Sequence, residues 1–199
     1  MTARKSLFIW ILHGKIRGSS QMRTNGNLME EKAMKEIPCK DISLNPMTMI
    51  SDIWWLITAG SKERGYNTMT ASWGHLGSLW GHPTAVVYVR PQRYTKEFMD
   101  REDYFTLTVM GDEYKKQLAV LGTKSGRDGD KIAEVGFEPM FIDDTTAIAG
   151  GELVLVCRKL YAEPLKEEGF TDRNIVESCY PDRDFHTVYV GEIERVFVK

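Results

Sequence analysis

Three short blocks carry the side chains best suited to chemistry: NTMTASW at Asn67–Trp73, RPQRYT at Arg90–Thr95 and SGRDGDK at Ser125–Lys131. A phosphate is a dianion that leaves bulk water only when fixed donors and positive charge replace its hydration. Arg90, Arg93, Thr95 and Lys131 are the residues of these blocks that can do so. Arg93 and Thr95 stand just before a predicted helix, whose first turn points N–H groups outward as a ready anion site. The same block also reads as a strand end, a turn and an N-cap with two solvated arginines. SGRDGDK has a double reading too: a surface turn in which Asp128 or Ser125 caps the next helix, or a loop that turns Lys131 toward an anion. In NTMTASW the short side chains at Thr70, Ala71 and Ser72 let the backbone approach the edge of a flat heterocycle, and Trp73 offers an aromatic face or an indole N–H. A half-buried strand of alternating small residues is the other reading.

The elements that must position these blocks are mostly strands. Ile53–Ala59 is rich in β-branched and aromatic residues, GSKERGYN after it supplies a hairpin connection, and Asn67–Trp73 returns. If Trp54 and Trp55 lie on that strand they point to opposite faces, either one into the core and one to a partner surface, or both into a two-sided core. Pro83–Val89 is almost wholly apolar, as expected of a strand covered on both faces. Thr95 is expected to cap a helix through Arg101, with Tyr94 and Met99 as its hydrophobic staple. Tyr104–Met110 alternates as a strand. Asp112 opens an amphipathic helix through Leu121, with Gly122 as its left-handed stop. Glu152–Leu160 and His186–Val198 read as long strands, the second with a bulge at Gly191. Many strands and few short helices indicate a mainly β barrel over a doubly wound sheet.

Composition narrows the classes. In 199 residues, 26 Lys and Arg against 28 Asp and Glu leave a formal charge of -2, without the basic excess of a nucleic-acid binder. Cys39, Cys157 and Cys179 are odd in number and far apart, so they draw neither a disulfide framework nor a CxxC motif, and a reducing cytoplasm is the expected home. Leu7–Leu12 is too short to span a bilayer, so no membrane role is expected. Residues 1–28 read as a loose extension, compatible with a reading frame that starts upstream of Met29, and 29–199 as a single domain. GxSxG and HExxH are absent, and no GxGxxG follows a predicted strand, which removes the common hydrolase and dinucleotide-fold signatures.

Together and in this order, the three blocks resemble the flavin reductase-like family, the FMN-binding split β-barrels that include flavoredoxin; the resemblance runs from about Ile37 to Val198. It implies a Greek-key-like split barrel that binds FMN. Asn67, Met69, Thr70, Ala71, Ser72 and Trp73 correspond to the wall along the isoalloxazine and ribityl chain. Arg90, Arg93, Tyr94 and Thr95 correspond to the strand end and helix start at the phosphate, and Ser125 and Lys131 to the SGRDxDK phosphate loop. His186, before an aromatic and a Gly-Glu pair, corresponds to a histidine over the flavin on the nicotinamide or substrate side. The implied activity is hydride transfer from NADH or NADPH to bound FMN and onward to free flavin or another acceptor. The alternative is a non-enzymatic module that passes electrons between redox partner proteins. A two-fold homodimer with sites near its interface is implied as well. Trp80 and His82 depart from the smaller, Pro-rich loop of reductases and would narrow the pocket.

Overall fold

A computed structural model of the protein describes residues 34–199; the loose extension expected at 1–28, with its Leu7–Leu12 run, lies outside the described residues. The main sheet is antiparallel throughout. It contains β1 (Lys35–Ile37), β2 (Trp55–Ser61), β3 (Gly65–Ala71), β4 (Gly74–Leu79), β5 (His82–Val89), β6 (Tyr104–Val109), β9 (Leu153–Pro164) and β10 (Thr187–Val198). Between β6 and β9 a separate hairpin forms from β7 (Pro139–Ile142) and β8 (Thr145–Ile148). The order across the main sheet is β3-β2-β6-β9-β10-β5-β4, with β1 also pairing to β10. The helices are short: α1 (Pro46–Thr48), α2 (Tyr94–Arg101), α3 (Lys115–Thr123), α4 (Lys131–Glu134) and α5 (Arg173–Cys179). This is the mainly β class that the strand-rich sequence predicts, in the open, split form that the resemblance implies.

Period-two alternation explains the core. Trp55, Ile57 and Ala59 of β2 face inward with Ala85, Val87 and Val89 of β5, Phe105 and Leu107 of β6, and Leu155 and Cys157 of β9. The outer face of β2 is covered as well. Leu56 joins Leu118 and Leu121 of α3, Ile132 of α4 and Ile148 of β8 in a second cluster. Trp55 is fully buried in the first cluster and Trp54 packs on the second, so of the two readings for this pair the two-sided core holds. Trp54 lies before the strand with φ 72 and sits under the Lys115 ammonium, 3.8 Å from its ring centroid. β5 departs from expectation: Ala85, Val87 and Val89 are buried on its inner face, while on its outer face Thr84 is buried but Val86 and Tyr88 are partly exposed.

Two glycines matter for closure. At Gly191 the β9–β10 register shifts, giving the expected bulge, and a Cβ there would stand 2.7 Å from the Phe105 ring. At Gly74 a Cβ would strike the Trp55 ring at 2.1 Å. Gly74 opens β4, and Ser72 and Trp73 link it to β3, so these two residues join the two edge strands of the open sheet.

Three helix boundaries differ from the sequence reading. α2 begins at Tyr94 with Arg93 as N-cap and no side-chain cap; Thr95 is inside the helix and fully buried, its hydroxyl turned to Asn67. Tyr94 accordingly packs edge-on against Phe98, 5.0 Å away, instead of stapling to Met99. Asp112–Tyr114 is a 3-10 turn, and Gly122 lies within α3, where it meets Thr70. The cap of α4 is Asp130, whose carboxylate accepts from the Ile132 and Ala133 amides, not Asp128 or Ser125.

Candidate functional site

Two adjoining cavities, sharing Met69 and Arg93, collect every candidate residue from the sequence. The first, about 220 Å³, is lined by Met69, Thr70, Ala71, Ser72, Trp73, Tyr88, Arg90, Arg93 and His186. The second, about 210 Å³, is lined by Asn67, Met69, Gln92, Arg93, Tyr94, Thr95, Thr123, Lys124, Ser125, Gly126 and Lys131. The first is called the ring end below and the second the anion end. β3 runs along both, which is why a single strand supplies residues from Asn67 to Ala71.

The anion end is built around the C-terminus of α3. The Lys131 ammonium donates to the carbonyls of Leu121 (2.8 Å) and Lys124 (3.0 Å), and Arg93 donates to the Gly122 carbonyl (2.6 Å). The end of a helix is partly negative and has carbonyls without intrahelical partners, so it gathers these cations. Lys131 is only 4% exposed. Burial first, then repulsion from Arg93, pulls its pKa down from the ordinary lysine range to about 8. Among the described residues neither Lys131 nor Arg93 has a carboxylate partner. Two cations are therefore held side by side against neutral carbonyls, an arrangement that a bound anion would relieve.

Uncharged donors surround this pair. The Asn67 amide donates to Thr95 Oγ1 at 2.8 Å, which leaves the hydroxyl proton of Thr95 for another acceptor. The first amides of α2, at Tyr94 and Thr95, have no acceptors within the helix. Gly126 permits the 125–131 loop to close over them: a Cβ there would lie 2.1 Å from Asn67 Oδ1. Arg127 of the same loop stacks over the Tyr94 ring at 4.7 Å and pairs with Glu97, which fixes the loop on α2.

The ring end is aromatic. Trp73 is 44% exposed and its ring lies 5.0 Å from that of His186, tilted by 44°. Thr70 donates its hydroxyl to the Leu118 carbonyl at 2.6 Å, tying β3 to α3 and leaving backbone groups as the polar face of this wall. Arg90 lines the ring end and not the anion end. Its guanidinium is held by Asp184 (2.5 Å) and the Cys179 carbonyl (2.8 Å), so it braces the wall. His186 is 7% exposed, and burial together with the Arg90 charge lowers its pKa to about 4. It is therefore neutral near pH 7.

Trp80 and His82 line neither cavity. They sit at the tip of the β4–β5 hairpin, Trp80 60% exposed and His82 2.7 Å from Glu192, so they do not narrow the site. Sequence reasoning missed Tyr88, Gln92 and Gly126, which complete the walls, and Tyr180, whose hydroxyl meets His186 Nδ1 at 2.9 Å. The signal for Tyr180 was present in YPDRDFH, where Pro181 and Asp182 can turn the chain back on itself. The three cysteines are unpaired, and no helix among the described residues is long and apolar enough to cross a membrane.

Comparison with known proteins agrees with this geometry. A search of curated proteins finds no match. Among solved structures, the FMN-binding domain of a flavin reductases-like enzyme from Shewanella baltica superposes with a TM-score of 0.58 at 16% identity, covering 83% of this chain and 77% of that one. Flavoredoxin from Methanosarcina acetivorans gives 0.57 at 21% identity, covering 79% and 75%. The styrene monooxygenase flavin reductase from Pseudomonas putida gives 0.53 at 14% identity, covering 73% and 78%. These likenesses establish the shared fold. The family model described as the flavin reductase like domain matches residues 47–199, and the chain belongs to the flavin reductase-like family.

Proposed function

We propose that the two cavities form one FMN site and that the protein is an FMN-dependent oxidoreductase using NADH or NADPH. The observation that carries this reading is the paired Lys131 and Arg93 at the anion end, joined by a continuous β3 wall to the aromatic ring end. In this reading Lys131, Arg93, Thr95, Ser125 and the first amides of α2 hold the phosphate. Asn67 and Met69 follow the ribityl chain. The backbone from Thr70 to Ser72 meets the polar edge of the isoalloxazine, and Trp73 and His186 limit solvent access to it. When bound, FMN supplies the redox chemistry, taking two electrons from the nicotinamide and passing them to free flavin or another acceptor. The side chains present fit that division of labour: they bind, orient and exclude water, and His186 remains neutral near pH 7.

Purified protein mixed with FMN and titrated anaerobically with NADH and NADPH tests the reading. Near-stoichiometric flavin absorption that bleaches with at least one nicotinamide is expected. Flavin that binds but resists both nicotinamides assigns the chain instead to electron transfer between partner proteins. We also propose a two-fold homodimer, supported by the partly exposed Val86 and Tyr88 on the outer face of β5 and by the exposed Met47 beside the ring end. Light scattering of the purified chain should give twice the 22.8 kDa of one chain.

A further inference from the structure

Tyr180 follows α5 and stands beside His186, with its hydroxyl oxygen 2.9 Å from His186 Nδ1 and the two rings nearly perpendicular at 80°. It is a fixed group. Tyr180 is buried, the Arg90 guanidinium lies 5.2 Å over its ring, and Phe185 packs against it at 4.9 Å. The nearby carboxylate, Asp184, is turned away to Arg90 (2.5 Å) and Gln92 (2.7 Å), so a phenol and not an acid meets the imidazole.

The direction of that hydrogen bond follows from chemistry. An imidazole nitrogen is a much better acceptor than a phenol oxygen. Burial raises the Tyr180 pKa and keeps the phenol protonated, while His186 is neutral near pH 7 and carries a single N–H. With Nδ1 accepting, that proton is on Nε2, the ring nitrogen left for the cavity that His186 lines with Trp73, Arg90 and Arg93.

We propose that Tyr180 is a positioning residue that locks His186 as its Nε2–H tautomer, so that His186 presents a neutral hydrogen-bond donor to a carbonyl or carboxamide oxygen in the ring-end cavity. The imidazole then orients a ligand and does not relay protons. This inference does not rest on FMN being the bound group, and absence of flavin binding leaves it standing.

Long-range proton–nitrogen correlation spectra of ¹⁵N-histidine-labelled, flavin-free protein at neutral pH test it. His186 should show an imine-type Nδ1 and a pyrrole-type Nε2 in the wild type. In Tyr180→Phe, checked for folding by near-ultraviolet circular dichroism, that pattern should give way to a mixture of tautomers. Benzamide, a neutral carboxamide, should move the Nε2–H resonance of the wild type, and benzylamine should leave it in place. An Nδ1–H tautomer or an imidazolium in the wild type overturns the proposal, and this measurement needs no variant. A Tyr180→Phe spectrum identical to the wild type removes Tyr180 from the role, and an Nε2–H unmoved by benzamide removes the ligand class.

Discussion

The two ends of the cleft are alike in size and opposite in character. At the anion end, Arg93 and Lys131 face neutral carbonyls, with Thr95 and helix amides beside them. At the ring end Arg90 is already neutralised by Asp184 and Arg93 reaches back to the Gly122 carbonyl of the other end, and what remains is Trp73, a neutral His186 and strand backbone. The difference defines a ligand with a flat polar head and an anionic tail. It also separates the binding energy into two parts that can be removed one at a time, with FMN and its dephosphorylated form, riboflavin, as probes.

Lys131→Ala should have the largest effect. Losing a charge-assisted contact to phosphate should weaken FMN by about 1.5 to 3 kcal/mol, roughly ten- to hundredfold in Kd, and leave riboflavin unchanged in calorimetric titrations. Trp73→Ala should weaken FMN and riboflavin equally, by about 0.5 to 1.5 kcal/mol for an aromatic contact. Equal loss for both ligands in the Lys131 variant would erase the contrast between the ends.

A pH series sharpens the same contrast. The ammonium of Lys131 is the form that holds an anion, and its pKa of about 8 in the free protein means that binding above this pH requires uptake of a proton. FMN affinity should therefore fall as pH rises past 8, by up to about tenfold per unit, while riboflavin affinity stays level. Without a ligand the sign reverses: the depressed pKa makes the unfolded chain bind more protons between about 8 and the ordinary lysine value of 10.5, so this group adds stability as pH rises through that window. The smallest effect is expected for Trp80→Ala at the β4–β5 hairpin tip, which should leave both affinities within error.

The sequence made the strand-rich fold and the three blocks legible because each block is local. Strand alternation, Gly191 at the bulge and the family order of NTMTASW, RPQRYT and SGRDGDK are patterns in neighbouring residues. What it hid depends on contacts between distant segments. Thr95 looked like a helix cap, yet Asn67, 28 residues earlier, takes its hydroxyl as an acceptor, and the helix starts two residues sooner, at Tyr94. Arg90 looked like a phosphate ligand until Asp184, far along the chain, claimed its guanidinium. Gly122 looked like a stop signal, but Thr70 packs on it within a helix that continues. Trp80 and His82 looked like residues that narrow the pocket because they depart from the smaller, Pro-rich loop of the family; the β4–β5 hairpin carries them to its tip instead.

The most direct test of the account is a crystal structure of the protein soaked with FMN. The flavin ring should lie between the β3 wall, Trp73 and His186, with its phosphate within hydrogen-bonding distance of Lys131 Nζ and the amide of Thr95. Flavin density elsewhere on the protein, or a phosphate remote from Lys131 and Arg93, would contradict the account.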